Sequence, residues 1–300
     1  MIRGHRASWR PRRATTPRVP IGYAHDLSAW HPLSHDARMS LRADFADRYG
    51  PWAVVTGASS GIGAEFARQL AAAKISVVLV ARRRERLEEL GAQLGAPYRV
   101  CAHDLAEPSS IDALVDEVAD LDVGLVVNNA GLSWKGAFLE HDRAHARRMI
   151  ELNCQAPVAL THALAPRLAA RGRGGVIMVS STGAFQGLPW SAVYGATKAF
   201  DLLFGEALRV ELASQHVDVL TLAPGGTDTE GPMNTGVDPD KVPMKLMSVT
   251  PVVAAALAGL GRRSLVVPGA INRANHLVTR LVPRGLAARA AGRILRRVMV

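Results

Sequence analysis

The chain of 300 residues has few of the features that mark disulfide-rich, metal-binding or membrane-spanning proteins. It has only two cysteines, Cys101 and Cys154, and both lie in apolar-periodic segments. Buried thiols are therefore expected, rather than a disulfide or a metal site. No apolar run reaches the roughly 18 residues that a membrane-spanning helix needs, and the first residues lack the apolar core of a secretory signal. We expect a cytoplasmic protein that contacts a membrane at most from its surface.

Acidic residues are absent from one end of the chain and scarce at the other. Residues 262–300 contain nine Arg and no acid, a charge of +9, and residues 1–38 contain seven Arg and two Asp, a charge of +5. Because the whole chain carries +10, residues 39–261 carry −4. A basic chain suggests nucleic acid or an anionic membrane as a partner, but the basic ends contain no recognisable nucleic-acid-binding motif. We expect no nucleic-acid partner.

The pattern along the chain predicts one domain between two basic ends. Residues 1–38 show neither a strand nor a helix period, which predicts a disordered basic arm; a mis-set start, with Met39 as the first residue, is the alternative. Residues 39–268 form the predicted domain, and residues 269–300 form a basic amphipathic tail. Hydrophobic residues make up 48% of the chain, which is enough for a sizeable core.

From Trp52 onward, short β-branched runs alternate with longer helix-like stretches. Near-continuous apolar strands between amphipathic helices predict an α/β fold, a single doubly wound parallel sheet with helices on both faces. The predicted strands are 52–55, 77–80, 98–102, 125–127, 176–179, 217–222 and 265–267. The predicted helices are 61–73, 84–94, 108–119, 142–171, 192–215 and about 250–260.

A glycine-rich turn, Thr56-Gly57-Ala58-Ser59-Ser60-Gly61-Ile62-Gly63, joins the first strand to the first long helix. Such a turn lets backbone N–H groups and a helix N-terminus face a pyrophosphate without obstruction by Cβ atoms. The spacing G-x-x-x-G-x-G differs from the standard G-x-G-x-x-G, and glycines also occur in plain tight turns. The strand–turn–helix context favours a nucleotide site.

The end of the second strand predicts which dinucleotide binds. A site selective for NAD places an Asp or Glu here to accept hydrogen bonds from the ribose 2′-hydroxyl, whereas this chain has Ala81 followed by Arg82 and Arg83. Because a guanidinium pairs with a 2′-phosphate, we predict NADP(H), with Arg82 as the contact. The alternative is that these arginines only begin a solvated helix.

A second group of polar residues follows later strands. Tyr194 and Lys198 are four residues apart, and therefore lie on one helical face. Ser181 lies 13 residues before Tyr194, directly after a predicted strand, and Asn128-Asn129-Ala130-Gly131 follows another. The carboxyl edge of an open α/β sheet is where its ligands bind.

In order and spacing these motifs, with Pro224-Gly225, resemble the short-chain dehydrogenase/reductase family over about residues 50–268. The resemblance implies one Rossmann-type domain, a homodimer or homotetramer, and interconversion of a carbonyl and an alcohol with a nicotinamide cofactor. Tyr194 would be the general acid or base, its pKa lowered by Lys198. Lys198 would also hold the nicotinamide ribose, and Ser181 would bind the substrate oxygen.

The resemblance also assigns Asn153, whose backbone carbonyl would hold a water that relays protons to Lys198. Pro157 has no N–H for that carbonyl, which predicts an irregular helix here. Asp104 would bind the adenine amine, while Thr56 would support the Asn-Asn-Ala-Gly loop. The cofactor-binding positions that the resemblance implies are Gly57, Ser59, Ser60, Gly61, Ile62, Gly63, Asp104, Leu105, Asn129, Ala130, Gly131, Tyr194, Lys198, Pro224, Gly225 and Thr227.

The substrate side is predicted from the loops after the fourth, fifth and sixth strands. They are rich in apolar side chains and poor in charge, which favours a hydrophobic carbonyl compound or its alcohol; packing is the alternative for each of these side chains. Residues 228–247 are predicted to form a mobile lid. The apolar loop residues are Leu132, Trp134, Phe138, Phe185, Leu188, Trp190 and Met233.

The tail is predicted to form an amphipathic helix with Arg289, Arg293, Arg296 and Arg297 on one face. It would either make peripheral contact with an anionic membrane or pack on the domain or a partner subunit. A non-catalytic NADP-binding sensor or scaffold is the alternative function. The complete set of Asn153, Ser181, Tyr194 and Lys198 favours the enzyme.

Overall fold

A computed structural model of the chain describes residues 41–229 and 246–299. The predicted N-terminal arm, Met39, Met233 and most of the predicted lid lie outside these residues. Among the described helices, none is both long and apolar enough to cross a membrane.

Seven parallel strands form one sheet in the order β3-β2-β1-β4-β5-β6-β7. This confirms the predicted doubly wound fold. The strand order reverses between β1 and β4, and an open α/β sheet binds its ligands at the carboxyl side of such a reversal. The strands are β1 (Trp52–Thr56), β2 (Ser76–Ala81), β3 (Tyr98–Ala102), β4 (Val123–Asn128), β5 (Gly174–Val179), β6 (Val217–Leu222) and β7 (Leu265–Val266).

Ten α-helices occur in the described part of the chain, and they cover both faces of the sheet. Neighbouring residues of β1 point to opposite faces, since Val54 packs in one core cluster with α4 and α6 and Val55 packs in the other with α2 and α8. The helices are α1 (Phe45–Tyr49), α2 (Gly61–Ala72), α3 (Arg84–Gln93), α4 (Ser109–Glu117), α5 (Arg143–Ile150), α6 (Ala156–Ala170), α7 (Ala192–Leu212), α8 (Val249–Gly259), α9 (Ala270–Leu281) and α10 (Arg284–Met299).

The helix predicted over 142–171 is divided into α5 and α6. A π-type turn, Glu151–Gln155, separates them, and the Ala156 N–H donates to the Glu151 carbonyl five residues back. Pro157 follows at once and cannot donate to the Asn153 carbonyl. The irregularity therefore lies where Pro157 predicts it, with Asn153 fully buried inside it.

Helices α9 and α10 pack with one face on the domain. The buried Asn272 of α9 donates to the Pro268 carbonyl at 2.8 Å, and the His276 ring lies 4.0 Å from that of Phe185. On α10, the Gly292 carbonyl accepts a hydrogen bond from the Trp190 indole at 3.3 Å. The tail therefore contributes to the structure around the carboxyl edge of the sheet.

Both cysteines are free thiols. Burial raises the pKa of Cys101 to about 12 and that of Cys154 to about 11, so both remain protonated at neutral pH. Within the described ranges, no three His, Cys, Asp or Glu side chains gather as metal ligands.

Candidate active site

A cleft of about 540 Å³ lies along the carboxyl edge of the sheet, across the point where the strand order reverses. It brings together residues that are far apart in sequence. Gly63 and Asn153 are absent from its lining. The predicted residues that line the cleft are Gly57, Ser59, Ser60, Gly61, Ile62, Arg82, Asp104, Leu105, Asn129, Ala130, Gly131, Ser181, Tyr194, Lys198, Pro224, Gly225 and Thr227.

Glycine is required at two positions of the turn after β1. Gly57 has a φ of +67°, and a Cβ there would lie 2.9 Å from the Cα of Ala130. A Cβ on Gly63 would lie 2.2 Å from the Gly57 carbonyl oxygen. Because both positions exclude a side chain, the turn packs tightly and the N-terminus of α2 faces the cleft, where its free N–H groups favour an anion.

Thr56 ties this turn to the Asn-Asn-Ala-Gly loop, as predicted. Its hydroxyl donates to the Val127 carbonyl at 3.1 Å and accepts from the N–H groups of Asn129 at 2.9 Å and Ala130 at 3.0 Å. The Asn129 side chain donates in return to the Thr56 carbonyl at 2.9 Å. One threonine thus fixes two walls of the cleft against each other.

Two arginines border the cleft beyond the glycine-rich turn. Arg83 donates to the hydroxyl of Ser59 at 3.0 Å, while the guanidinium of Arg82 lies 3.9 Å from the Asp104 carboxylate. Arg148 of α5 also donates to Asp104. The sequence favours Arg82 over the neighbouring Arg83 as the contact, and it gives no sign of Arg148, which is 44 residues from Asp104.

The buried Lys198 is held by two acceptors. Its ammonium donates to the Val179 carbonyl at 2.8 Å and to the Asp201 carboxylate at 2.9 Å. Burial by itself lowers the pKa of Lys198, but the Asp201 carboxylate and Tyr194 outweigh it and raise the pKa above its ordinary value. Lys198 is therefore a persistent positive charge beside Tyr194 on α7.

Asp201 is a buried residue that the sequence argument missed. Its Oδ2 pairs with Lys198, and its Oδ1 is buried without a hydrogen-bond partner among the described residues. Burial raises the pKa of its carboxyl although Lys198 opposes that effect. The signal in the sequence is an acid three residues after Lys198, in the apolar run Ala199-Phe200-Asp201-Leu202.

The side chain of Asn153 clamps the loop after β4 to α7. Its Oδ1 accepts from the Leu132 N–H at 2.8 Å, and its Nδ2 donates to the Leu132 carbonyl at 2.9 Å and to the Thr197 hydroxyl at 3.0 Å. Both ends of the amide are thus engaged within the protein, and the part predicted for Asn153 in proton transfer concerns its backbone carbonyl.

The seven apolar residues predicted for the substrate side lie in different places in the structure. Leu132 and Leu188 line the cleft. Trp134 stacks on His141, with ring centroids 4.0 Å apart, and Phe138 is exposed. Phe185 and Trp190 contact the helices of the tail, and Met233 lies outside the described residues.

The lining of the cleft also includes residues that were not predicted for it, among them Leu295 and Lys135. Leu295 comes from α10 in the C-terminal tail. Lys135 is half-buried after β4, and burial lowers the pKa of its ammonium. This part of the cleft therefore combines leucine side chains with one lysine.

A comparison with family models matches residues 51–240 to the short chain dehydrogenase family. A 7beta-hydroxysteroid dehydrogenase of Clostridium sardiniense is 31% identical over 234 residues, which cover 77% of this chain and 90% of that protein.

Two solved structures extend the comparison. A short-chain dehydrogenase from Sphingobium yanoikuyae in complex with NADPH is similar with a TM-score of 0.71 and 34% identity, over 79% of this chain and 94% of that one. A bulky-bulky ketone specific alcohol dehydrogenase from Comamonas testosteroni has a TM-score of 0.67 and 31% identity, over 79% and 93% of the two chains.

Proposed function

Because the chain belongs to the short-chain dehydrogenase family, we propose that it is an NADP(H)-dependent oxidoreductase. The reaction is the interconversion of a bulky hydrophobic ketone and its secondary alcohol. The observation that carries the proposal is one cleft with a phosphate loop at one end and Ser181, Tyr194 and Lys198 at the other. An oxidoreductase of this family transfers a hydride between a nicotinamide cofactor and its substrate. The two ends of this cleft would hold the cofactor and the ketone.

The residues present fit a dinucleotide cofactor. Gly57 and Gly61 line the cleft with φ values of +67° and +55°, a backbone conformation that favours glycine, and the α2 N-terminus beside them suits a pyrophosphate. Asp104 and Leu105 would hold the adenine end, while Pro224, Gly225 and Thr227 would hold the nicotinamide amide. The cofactor, when bound, supplies or accepts the hydride.

The arginines after β2 support NADP(H) over NAD(H). Ala81, at the end of β2, offers no carboxylate to the 2′-hydroxyl of the cofactor's ribose. Arg82, Arg83 and the Ser59 hydroxyl line the same part of the cleft, and we call these three groups the cationic edge. A 2′-phosphate would pair with the guanidinium groups and accept from Ser59. The NADPH complex of the Sphingobium yanoikuyae relative is consistent with this assignment.

Proton transfer would be the task of Tyr194. During reduction of a ketone the carbonyl oxygen gains negative charge; Ser181 would stabilise that charge by a hydrogen bond, and Tyr194 would donate the proton. The positive charge on Lys198, beside Tyr194 on α7, would stabilise the negative charge left on the Tyr194 oxygen after the proton is donated. The Asn153 carbonyl would hold the water that returns a proton through Lys198.

The substrate class is inferred from the described walls of the cleft. Leu132, Leu188 and Leu295 offer apolar surface next to the reacting end, which suits a large hydrophobic ketone. The names of the two relatives, a hydroxysteroid dehydrogenase and an enzyme specific for bulky ketones, agree with that size.

We also infer a homodimer or homotetramer. Exposed apolar side chains on α5 and α7, namely Ile150, Phe200, Leu203 and Val210, support self-association of these helices. Light scattering of the purified protein tests the inference, and a monomer at micromolar concentration would contradict it.

The experiment that tests the proposed function is a screen of NADPH oxidation with long-chain and polycyclic ketones, run on the wild type and on Tyr194→Phe. We expect turnover in the wild type and a loss of at least about 100-fold in the variant, with NADPH binding retained by fluorescence titration. Equal turnover in the variant would refute the assigned acid. Tight NADPH binding without turnover of any ketone would instead support the sensor or scaffold alternative.

A further inference from the structure

The outer face of α9 and α10 carries exposed apolar side chains. On α9, Ile271 is 71% exposed, Val278 54% and Leu281 77%, and their spacing of seven and three residues places them on one side of the helix. On α10, Leu286 and Ile294 are more than half exposed and lie eight residues apart, again on one side. We name these five residues the α9–α10 stripe.

Exposed arginines accompany the stripe on both helices, and acidic residues are absent from residues 270–296. Residues 270–296 contain six Arg and no Asp, Glu or Lys. Within the described ranges, none of these arginines forms an ion pair with a carboxylate. Five of the six are exposed, namely Arg280, Arg284, Arg289, Arg293 and Arg296, whereas Arg273 is partly buried, with its Nε shielded from solvent.

We propose that the outer face of α9 and α10 docks on an anionic membrane surface. The stripe would enter the boundary between headgroups and acyl chains, and the arginines would pair with lipid phosphates and other anionic headgroups. Such a surface attracts a helix face that combines apolar side chains with arginines and lacks acidic residues. Burial of the apolar side chains and attraction of the arginines to anionic lipids then both favour binding.

The charge of this face argues against its pairing with a second copy. In a two-fold dimer the same patch meets itself, and five exposed arginines would face five. Like charges in an interface cost affinity, whereas anionic lipids neutralise them. The membrane is therefore the occupant that the charge of the face favours.

The position of α10 connects this surface to the cleft. Leu295 lines the cleft, and its neighbour Ile294 lies on the exposed stripe. A protein docked through the stripe would hold one wall of its cleft next to the acyl chains, where a hydrophobic ketone concentrates. This last step rests on the proposed function; the docking itself does not.

The test is co-sedimentation of the full-length protein with vesicles of phosphatidylcholine alone or with about 30% phosphatidylserine. We expect binding to the anionic vesicles, weaker binding at high salt and little binding to the neutral ones. The triple variant Arg284→Gln/Arg289→Gln/Arg293→Gln should bind about 100-fold more weakly, since each Arg near such a surface contributes about fivefold.

Leu281→Asp tests the apolar part, and Leu139→Asp, on another exposed turn, is its matched control. Leu281→Asp should bind at least about tenfold more weakly and Leu139→Asp like the wild type. Both variants should keep the wild-type melting temperature and their turnover of a water-soluble ketone. Failure of the wild type to sediment, or equal binding of the triple variant, would overturn the proposal; so would self-association through this face that the triple variant abolishes.

The two proposals fail separately. A protein that sediments with anionic vesicles but reduces no ketone keeps its docking surface and loses its proposed function. A protein that reduces ketones but does not sediment with vesicles keeps its proposed function and loses the docking surface.

Discussion

At the scale of single residues, the environment of Lys198 bears on the proton transfer that we propose for the cleft. An ammonium has three hydrogens, and two of them go to the Val179 carbonyl and the Asp201 carboxylate. One N–H therefore remains for a ligand in the cleft. The buried counter-charge on Asp201 raises the pKa of Lys198 against the lowering effect of burial, which assigns Asp201 as a positioning residue.

Asp201→Asn keeps the shape of the side chain and removes its charge. We expect the pKa of Lys198 to fall, because burial then acts on it without a carboxylate to oppose it. As pH rises through that lowered pKa, Lys198 loses its proton and its ability to stabilise the Tyr194 phenolate. The alkaline limb of the kcat profile for ketone reduction should therefore move to lower pH, while KM for the ketone changes little.

The control for this prediction is Glu206→Gln, an acid on the exposed side of the same helix. Its profile should match that of the wild type. If the pH profiles of kcat for Asp201→Asn and the wild type coincide, the ion pair of Lys198 and Asp201 has no part in proton transfer.

Arg82 and Arg83 give a second prediction at this scale, about cofactor choice. Each guanidinium that pairs with a 2′-phosphate contributes about 1.5–3 kcal/mol, so Arg82→Ala and Arg83→Ala should each raise KM for NADPH roughly 10- to 100-fold. KM for NADH should stay within about twofold. The measurement is steady-state kinetics with both cofactors.

Arg84→Ala serves as the comparison, because that side chain lies on α3 and its carboxylate neighbour is Glu88. It should leave both KM values unchanged. An equal loss for NADH and NADPH in the other two variants would contradict the assignment of NADP(H).

At the scale of elements, the break between α5 and α6 positions Asn153. The π-type turn buries the residue, and its amide holds the loop after β4 to Thr197 of α7. The break and the clamp together place the Asn153 backbone near the Lys198 end of α7. Pro157 is the local cause, since it gives no N–H to the preceding turn.

Pro157→Ala restores that N–H. The new donor should draw the Asn153 carbonyl back into regular helix, and kcat should fall about tenfold, equivalent to about 1.4 kcal/mol, while NADPH binding is unchanged. Stopped-flow turnover and hydrogen exchange over 151–157 measure the two effects. Pro166→Ala is the matched control, because Pro166 also lies inside α6 but is exposed and further along the helix. A fall in kcat for the control alone, or for neither variant, would contradict the role of Pro157 in freeing the Asn153 carbonyl.

At the scale of the whole molecule, the cleft draws on both halves of the sheet. Ser59 follows β1, Asp104 follows β3 and Thr227 follows β6, and all three line it. A ligand that contacts all three binds only the folded chain. Cofactor binding should therefore stabilise the molecule as a unit.

NADPH at about 100 times its Kd should add about 2.7 kcal/mol to the free energy of unfolding, and raise Tm by about 5–10 °C for a domain of this size. NADH at the same concentration should give a smaller rise, because it lacks the 2′-phosphate. Differential scanning fluorimetry measures both shifts. Equal shifts for the two cofactors would count against the cationic edge, and no shift for either would count against the cleft as their site.

Much of this architecture follows from short stretches of sequence. The parallel sheet was predictable because buried strands such as β1 and β2 are nearly continuous apolar runs between amphipathic helices. Gly57 and Gly63 were recognisable because close backbone approach excludes a side chain. Tyr194 and Lys198 were recognisable because a helix sets residues four apart on one face.

Other features depend on contacts between residues far apart in the chain. The local periodicity of the sequence indicates which side of a helix or strand faces the core. Which distant residue a side chain contacts depends on how the helices and strands pack together. Arg148 on Asp104 is one such contact, and the Trp190 indole on the carbonyl of Gly292, 102 residues away, is another. The sequence by itself therefore determined the sheet, the phosphate loop and the order of the site residues. Only the tertiary structure decided that the C-terminal helices put Leu295 into the cleft and leave Ile294 exposed, because packing chooses which face of an amphipathic helix is covered.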